Sequence, residues 1–317
     1  MKIKNTCLFI FALTFAFLSS FSCWASAPKS NSSNSGFYRL SLGAFEVTVL
    51  SDGTIDLPMS KLLVGVNPSE YQKAIAKNFI SDPIETSDNA FLVNTGKKLV
   101  LIDTGAGKLF GPTLGKILVN LKAAGYTPDQ VDAVLITHMH PDHIGGLLAD
   151  DKIAFPNATV YADKADADYW LSAENLSKAP EANKGFFQGA QNSLNPYIQA
   201  GKTKWFSTET EIIPGIKSQA SHGHTPGHTT YVIESEGKKL LLYGDLVHVA
   251  AVQFEKPSVT IQFDTDPKMA EANRKAAFAS AAKEGYLIGA PHLPFPGVGH
   301  IRADKKAFVF VPANYTR

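Results

Sequence analysis

Six residues, His138-Met139-His140-Pro141-Asp142-His143, bring three imidazoles and a carboxylate into one short stretch, followed by Ile144-Gly145-Gly146. Before them, residues 131–137 (VDAVLIT) form an apolar, β-branched run with the pattern of a buried strand. His138 and His140 lie two apart just past its end, so an extended backbone aims both the same way. Pro141 then turns the chain, and Asp142 and His143 can face the same point from the other side. Neutral imidazoles and an ionised carboxylate suit a borderline divalent cation such as zinc. A polar loop of solvated histidines would not call for this spacing, so the stretch reads as a metal site.

Other candidates lie downstream. Three of the nine histidines fall in Ser221-His222-Gly223-His224-Thr225-Pro226-Gly227-His228, where Pro and Gly make a tight loop rather than a helix. Only one or two of His222, His224 and His228 are expected to touch a metal, the others supporting them through hydrogen bonds or lying at the surface. The apolar run 240–244 ends in Asp245, whose carboxylate would be unpaired in a buried place unless it meets a cation. Asp103 ends a similar run, and there the simpler role of fastening the Asp103-Thr104-Gly105 turn is expected. His292 follows the apolar Tyr286-Leu287-Ile288 and is a further candidate ligand.

The elements that must position these residues are mostly strands. Residues 37–42 and 45–50 flank Gly43-Ala44 as a hairpin, with Asp52-Gly53 closing the second run. A helix is expected from about Ser69, another over 113–124 ending at Gly125, and a strand at 158–162 followed by a helix over 163–171. Residues 174–201 form an aromatic-bearing insertion, read as a lid over the metals rather than a plain helical cover. Strands follow at 212–216 and 231–233, a helix at 269–282 and a closing strand at 308–311. Gly96-Lys97-Lys98-Leu99-Val100-Leu101 recurs as Gly237-Lys238-Lys239-Leu240-Leu241-Leu242, each followed shortly by an aspartate. The echo suggests two similar β-rich halves packed sheet to sheet, an α+β class, with a site at their seam.

Composition bounds the rest. A basic start, an apolar run over 8–21 and Ala25-Ser26-Ala27 read as a signal peptide over residues 1–27, cut after Ala25 or Ala27, with a flexible lead-in at 28–36 and one domain over 37–317. The expected location is therefore periplasmic or secreted, with no membrane span once the leader is removed. Both cysteines, Cys7 and Cys23, lie in the leader, which excludes disulfides and thiolate ligands from the rest. Without Lys2 and Lys4 the 30 basic residues become 28 against 29 acidic ones, a balance that offers nothing to nucleic acid. A homodimer is compatible with this composition.

Taken in order, His138-x-His140-x-Asp142-His143, His224-Thr225-Pro226-Gly227-His228, Gly244-Asp245 and His292 resemble the metallo-β-lactamase superfamily. Within it the chain looks most like methyl parathion hydrolase and its lactone- and aryl-ester-cleaving relatives, through stretches such as Leu109-Phe110-Gly111-Pro112-Thr113 and Lys184-Gly185-Phe186-Phe187. The resemblance implies a four-layer αββα sandwich with a dinuclear site, most readily zinc. His138, His140 and His224 would hold one metal, and Asp142, His143 and His292 the other, with Asp245 bridging. His222, His228 and His300 would be supports, and Phe110, Trp170 and Phe186 would line the substrate entrance. Leu63, His248, Ile261 and Phe263 depart from methyl parathion hydrolase, which has arginine, leucine, threonine and leucine there. These are pocket positions, so metal chemistry carries over further than substrate identity.

Two cations about 3.5–4 Å apart would share a hydroxide that attacks a carbonyl carbon or a phosphorus, with Asp142 or Asp245 as a proton shuttle. The expected function is a hydrolase of lactones or aryl esters with side activity on phosphotriesters, because His248 puts a polar ring where the organophosphate enzyme is apolar. Two alternatives are a phosphotriesterase proper and an iron-dependent oxidoreductase on the same scaffold. Seven ligand positions argue for two metals and against the latter.

Overall fold

In a computed structural model of the chain, the described residues are Lys29, 34–207 and 209–315. The chain divides into two units, Met1–Asn34 and Ser35–Arg317, and the described sheets and helices belong to the second. The expected leader, and all of the lead-in but Lys29 and residues 34–36, lie outside the described residues. Among the described residues no helix is long and apolar enough to cross a membrane.

Two seven-stranded sheets form the frame. The first runs in spatial order Phe37–Leu42, Phe45–Leu57, Ile84–Asn94, Leu99–Ile102, Ala133–Leu135, Thr159–Asp163 and Thr203–Phe206. The second runs Glu211–Ile213, Ile216–Ala220, Thr229–Ser235, Lys238–Leu242, Leu287–Gly289, Val298–Asp304 and Ala307–Pro312. The echoed Gly-Lys-Lys turns sit at equivalent places. Each leads into a strand that is antiparallel to its predecessor and parallel to the next partner in its sheet.

The layering follows from the two-residue repeat of a strand. In Leu99–Ile102, Val100 and Ile102 face the second sheet, packing with Ile216, Tyr231, Ile233, Leu240 and Leu242. Leu99 and Leu101 face the other way, onto Ile117 and Leu121 of helix Ile117–Ala123 and Leu194 of helix Glu181–Gln199. Leu241 likewise points outward, against Phe278 and Ala281 of helix Pro267–Glu284. Strands apolar on both faces require helices on both outer sides. The result is the αββα order that the resemblance implied.

Several boundaries differ from the sequence expectation. The second strand does not end at Asp52-Gly53; it bulges between Ser51 and Gly53 and continues to Leu57. Asp52 is buried there, accepting hydrogen bonds from Ala106 N (2.9 Å), Gly115 N (2.8 Å) and Ile117 N (3.0 Å). Those bonds hold residues 113–116 as a loop, so the helix expected from Thr113 starts only at Ile117. The strand expected over 212–216 is two strands turning at Pro214-Gly215. The expected lid is a pair of helices, Ala173–Lys178 and Glu181–Gln199, the second seated on Phe187, Leu194 and Tyr197 in the core.

Arg274 ties the outer helix to the site. It is fully buried, donating from Nε to Leu246 O and from Nη1 to Pro257 O (3.0 Å) and Val259 O (2.7 Å). Replacing it by Met strands three carbonyls and leaves Asp264 without its nearby cation. Arg274→Met should therefore destabilise the fold by about 3–5 kcal/mol, read as a lowered denaturation midpoint. An unchanged midpoint would show that these carbonyls find other partners.

Candidate metal centre

Most residues of the proposed set lie in the segments that follow strand ends. His138 and His140 follow Ala133–Leu135, Asp245 follows Lys238–Leu242, His292 follows Leu287–Gly289, and His224 lies in the loop between Ile216–Ala220 and Thr229–Ser235. Asp142 and His143 sit on the short helix Pro141–Ile144 that begins where Pro141 turns the chain. The glycines after it serve close approach. A Cβ on Gly146 would lie 2.0 Å from Thr104 O, and one on Gly145 2.0 Å from Ala106 O.

These side chains converge into groups that could hold cations. His138, His140, His224 and Asp245 offer atoms within 4.8 Å of one another, as do Asp142, His143 and His292. Asp245 stands between them: its Oδ2 is 3.6 Å from His138 Nε2 and 3.3 Å from His224 Nε2, and its Oδ1 is 3.3 Å from His143 Nε2. His292 Nε2 lies 3.2 Å from Asp245 Oδ2 and 3.6 Å from Asp142 Oδ2. A third group, Asp245, His248 and His292, overlaps the second.

The outer nitrogens decide which atoms are free. His292 Nδ1 donates to Ser87 O (3.0 Å), His224 Nδ1 to Asp264 Oδ1 (2.8 Å) and His143 Nδ1 to Asp103 Oδ2 (2.9 Å). Thr137 Oγ1 gives its proton to Asp103 Oδ2 (2.7 Å), which leaves it to accept from His138 Nδ1 (3.1 Å). Each ring is thus held in the tautomer whose lone pair points inward. His224 Nε2 then faces His140 Nδ1 at 3.1 Å, and His138 Nε2 faces it at 3.0 Å. Lone pairs so close to one another and to a carboxylate repel unless positive charge sits between them. His143 Nε2 and Asp245 Oδ1 are buried with no hydrogen-bond partner among the described residues. The donor set, nitrogen and oxygen only, fits divalent cations such as zinc.

The titration of the cluster expresses the same demand. Burial opposes charge on His224, yet its bonds to Asp245 and Asp264 push it up to about 9. His292 is likewise buried, and Asp245 pushes it up to about 9. Burial dominates at His138 and His140, which are held well below the usual imidazole range. Burial works against the Asp245 carboxylate, and the surrounding rings, His292 foremost, hold it well below the ordinary range. Without cations, protons supply the missing charge.

Supporting residues surround this set, several of them invisible to sequence reasoning. His228 donates from Nδ1 to Ser221 O (3.0 Å) and accepts Asp245 N–H at Nε2 (2.9 Å), which aims the aspartate. Gly244 permits that approach, since its φ is +52° and a Cβ there would sit 2.6 Å from His228 Nε2. Asp103 does not merely fasten its own turn. It sits at φ 58° and binds Thr137 N (2.8 Å) besides Thr137 Oγ1 and His143. Asp166 accepts from Met139 N (2.9 Å) and Gly227 N (2.6 Å), pinning the two histidine loops together. His222 is half-buried and pairs with Asp163 at 3.3 Å, and His300 is exposed.

A cavity opens onto the cluster, lined by His140, Asp142, Asp245 and His292 and by Ile55, Leu57, Phe110, Leu114, Phe186 and Phe263, with Asp88 and His248 as further polar members. Four of the seven expected substrate residues, Phe110, Phe186, His248 and Phe263, are on its wall. The other three are not. Trp170 is 4% exposed and packs against Phe187 and the far side of His140, because helix Lys164–Trp170 turns it to the core. Leu63 and Ile261 pair with each other in a two-stranded ribbon and are buried beside Met59 and Val259. His248 stacks on His292, and its Nε2 lies 3.1 Å from Asp245 Oδ2 without hydrogen-bond geometry.

Comparison with known proteins agrees with this architecture. The model of the metallo-beta-lactamase superfamily matches residues 84–292. The N-acyl homoserine lactonase AiiA of Bacillus thuringiensis subsp. kurstaki is 26% identical over 220 residues, covering 65% of this chain and 77% of that protein. Among solved structures, the hydrolase AbOPH of the beta lactamase superfamily superposes with a TM-score of 0.86 at 38% identity, over 90% of this chain and 100% of that one. AidC, a dizinc quorum-quenching lactonase in complex with a product, superposes with a TM-score of 0.82 at 30% identity, over 89% and 99% of the two chains.

The outer hydrogen bonds predict a graded loss. Asp264→Ala frees the His224 ring and should weaken cation binding by about 10–100-fold, with Asp264→Asn affected less because its amide oxygen can still accept. Competition against a chromophoric chelator measures this. Equal affinities in all three proteins would mean that Asp264 does not orient His224.

Proposed function

From the premise that the chain belongs to the metallo-beta-lactamase superfamily and is a metal-dependent hydrolase of it, we propose a dinuclear, most readily dizinc, hydrolase of lactones and aryl esters. The observation that carries the reading is the convergence of inward lone pairs on Asp245, next to an apolar cavity. The likeness to AidC supports both the metal number and the lactone class. His138, His140 and His224 would hold one cation, Asp142, His143 and His292 the other, and Asp245 both. Bound there, the cations would supply Lewis acidity and lower the pKa of water toward 7.

The chain's own residues do the remaining work. The apolar wall, with Phe110 and Phe186 at its sides, takes an acyl, alkyl or aryl group and excludes water from the reacting carbonyl. Hydrolysis forms a bond from water oxygen to the carbonyl carbon, breaks the bond to the alkoxide, and delivers a proton to that oxygen. Asp142 is the one member of the seven that is not fully buried and it faces the cavity, so its carboxylate can carry that proton. Asp245, closed in by five imidazoles, is better suited to holding cations than to shuttling. His248 offers the cavity a polar ring, its Nε2 3.1 Å from Asp245 Oδ2 and its Nδ1 without a hydrogen-bond partner among the described residues, favouring a polar lactone or ester over the alkoxy groups of a phosphotriester. Phosphotriester hydrolysis, the alternative expected from the sequence, is then a side activity. The leader points to export into the periplasm or medium.

The purified protein should carry close to two metals per chain. Chelation should abolish activity, zinc, cobalt or manganese should restore it, and Asp245→Ala should empty both positions whereas His292→Ala loosens mainly one. One tightly bound iron with oxygen-dependent turnover would sink the proposal. A panel of an N-acyl homoserine lactone, an aryl ester, a dialkyl aryl phosphotriester and a β-lactam tests the substrate class. The first two should dominate, and His248→Leu should move the kcat/KM ratio toward the phosphotriester by about tenfold, the size of one net hydrogen bond. A native preference for the phosphotriester would overturn the substrate class and leave the metal centre standing.

A further inference from the structure

A second cavity adjoins the one over the metal centre. It is lined by Leu109, Pro141, Gly185 and Gly189, and it shares Phe110 and Phe186 with the first. Those two rings stand between an inner space of ≈ 100 Å³ and an outer one of ≈ 370 Å³. None of the seven candidate ligands lines the outer space, but Pro141, between His140 and Asp142, ties it to the ligand loop. Its apolar side is open to solvent, with Leu109 41% and Phe110 36% exposed, and Gln188 and Asn192 are its exposed polar members.

Helix Glu181–Gln199 shapes the outer space through Gly185 and Gly189, one turn apart on one face. Glycine inside a helix costs stability relative to alanine, and packing explains only one of the two. A Cβ on Gly189 would lie 3.1 Å from Pro141 Cγ and 3.4 Å from Leu109 Cδ1, so the close seat of the helix on that loop calls for glycine. A Cβ on Gly185 would meet nothing within 4 Å outside its own turn of helix. The groove is closed at Gly189 and open at Gly185, and no neighbour in the protein requires the opening.

We infer that the outer cavity is a subsite for the distal part of a long aliphatic chain on the substrate, led past Phe110 and Phe186 while the reacting carbonyl stays at the cations. This rests on the reading of the protein as a lactone and ester hydrolase. The shared rings make the two cavities continuous in their walls, so a substituent too long for the smaller inner space has the outer one next to it. Each further methylene then leaves water for the surfaces of Leu109, Phe110, Pro141 and Phe186 and gains affinity. The lining carries no charged side chain, so nothing in it calls for an ionised occupant. An unbranched chain can bend between two rings where a rigid group cannot. Gln188 and Asn192 mark where solvent returns and the gain ends.

The test uses the metal-loaded full-length protein and two γ-butyrolactones, one with a butyl and one with an octyl group on the γ-carbon. The native protein should favour the octyl lactone in kcat/KM by about tenfold or more. Gly185→Leu places a side chain in the groove and should bring that ratio to about one, chiefly by raising KM for the octyl lactone. Gly185→Ala adds only a methyl group and should retain most of the ratio. Leucine and alanine both favour helix over glycine, so the unfolding midpoints of the two variants should equal or exceed the native one, with metal content unchanged. A native ratio near one, or a Gly185→Leu ratio equal to the native, would overturn the subsite while leaving lactone hydrolysis intact. A lowered midpoint or lost metal in Gly185→Leu would show that Gly185 serves packing and would overturn it as well. Hydrolysis of neither lactone would overturn the lactonase reading, and this inference with it.

Discussion

Five imidazole nitrogens lie within 3.6 Å of one buried carboxylate, that of Asp245. A buried charge of this kind is tolerated only when paired. Rings whose outer nitrogens already donate to Ser87, Asp103 and Asp264 can give no proton inward while they stay neutral. Either the rings take up protons, which buries cationic imidazolium, or divalent ions enter. The rest of the site follows from that choice, because the outer hydrogen bonds to Ser87, Asp103 and Asp264 fix each ring with its other nitrogen pointing inward. Cation binding in this protein is thus linked to folding.

The fold meets the constraint at its strand ends. Each sheet contains an antiparallel-then-parallel turn of the chain, at Leu99–Ile102 in one and Lys238–Leu242 in the other. Both strands lead into an aspartate, and the two aspartates have different jobs. Asp245 enters the cluster, whereas Asp103 stands behind it and fixes His143 and Thr137. Cross-ties then join what the sheets deliver separately. Asp166 joins the backbone of Met139 to that of Gly227, and Tyr231 Oη donates to Ile136 O across the sheets. Loosening the seam between the sheets would therefore spread the centre before it unfolds the core.

The parts of this arrangement that could be read in the sequence are the ones set by short range. The spacing of His138, His140, Asp142 and His143 is local geometry, and the two strand-end runs before Asp103 and Asp245 announce themselves by their apolar character. The repeated Gly-Lys-Lys turn marked the two halves correctly, because a turn and its flanking strands form one unit. The anchors escaped for the opposite reason. Asp264 meets His224 across 40 residues, and Asp166 meets Gly227 across 61. Isolated aspartates of that kind look like any surface carboxylate until the chain is folded. Aromatic type also misled: Trp170 and Phe186 read alike in the sequence, but helix Lys164–Trp170 buries the first while helix Glu181–Gln199 turns the second toward the cavity. Asp52 altered two boundaries, since one carboxylate that collects three amide protons overrides helix propensity at Gly115 and Lys116.

Anchoring and recognition are carried by different parts of the chain, and that division has consequences for how activity varies. Ile55 and Leu57 belong to a strand extension, Phe110 and Leu114 to the loop held by Asp52, Phe186 to the covering helix, and Phe263 to a turn beside Asp264. None of these side chains is hydrogen-bonded to the cluster, so exchanging one for another apolar residue alters shape without disturbing the charge balance at Asp245. Asp88 and His248 are different in kind. Among the described residues the Asp88 carboxyl makes no hydrogen bond, whereas His248 Nε2 lies 3.1 Å from Asp245 Oδ2 and its ring stacks on His292, so both bring polarity into a wall that is otherwise apolar. Substrate class in such a site is written less by the many apolar contacts, which bind any chain of the right size, than by these two polar groups. A substrate that satisfies them recovers a desolvation cost that a plain hydrocarbon leaves standing.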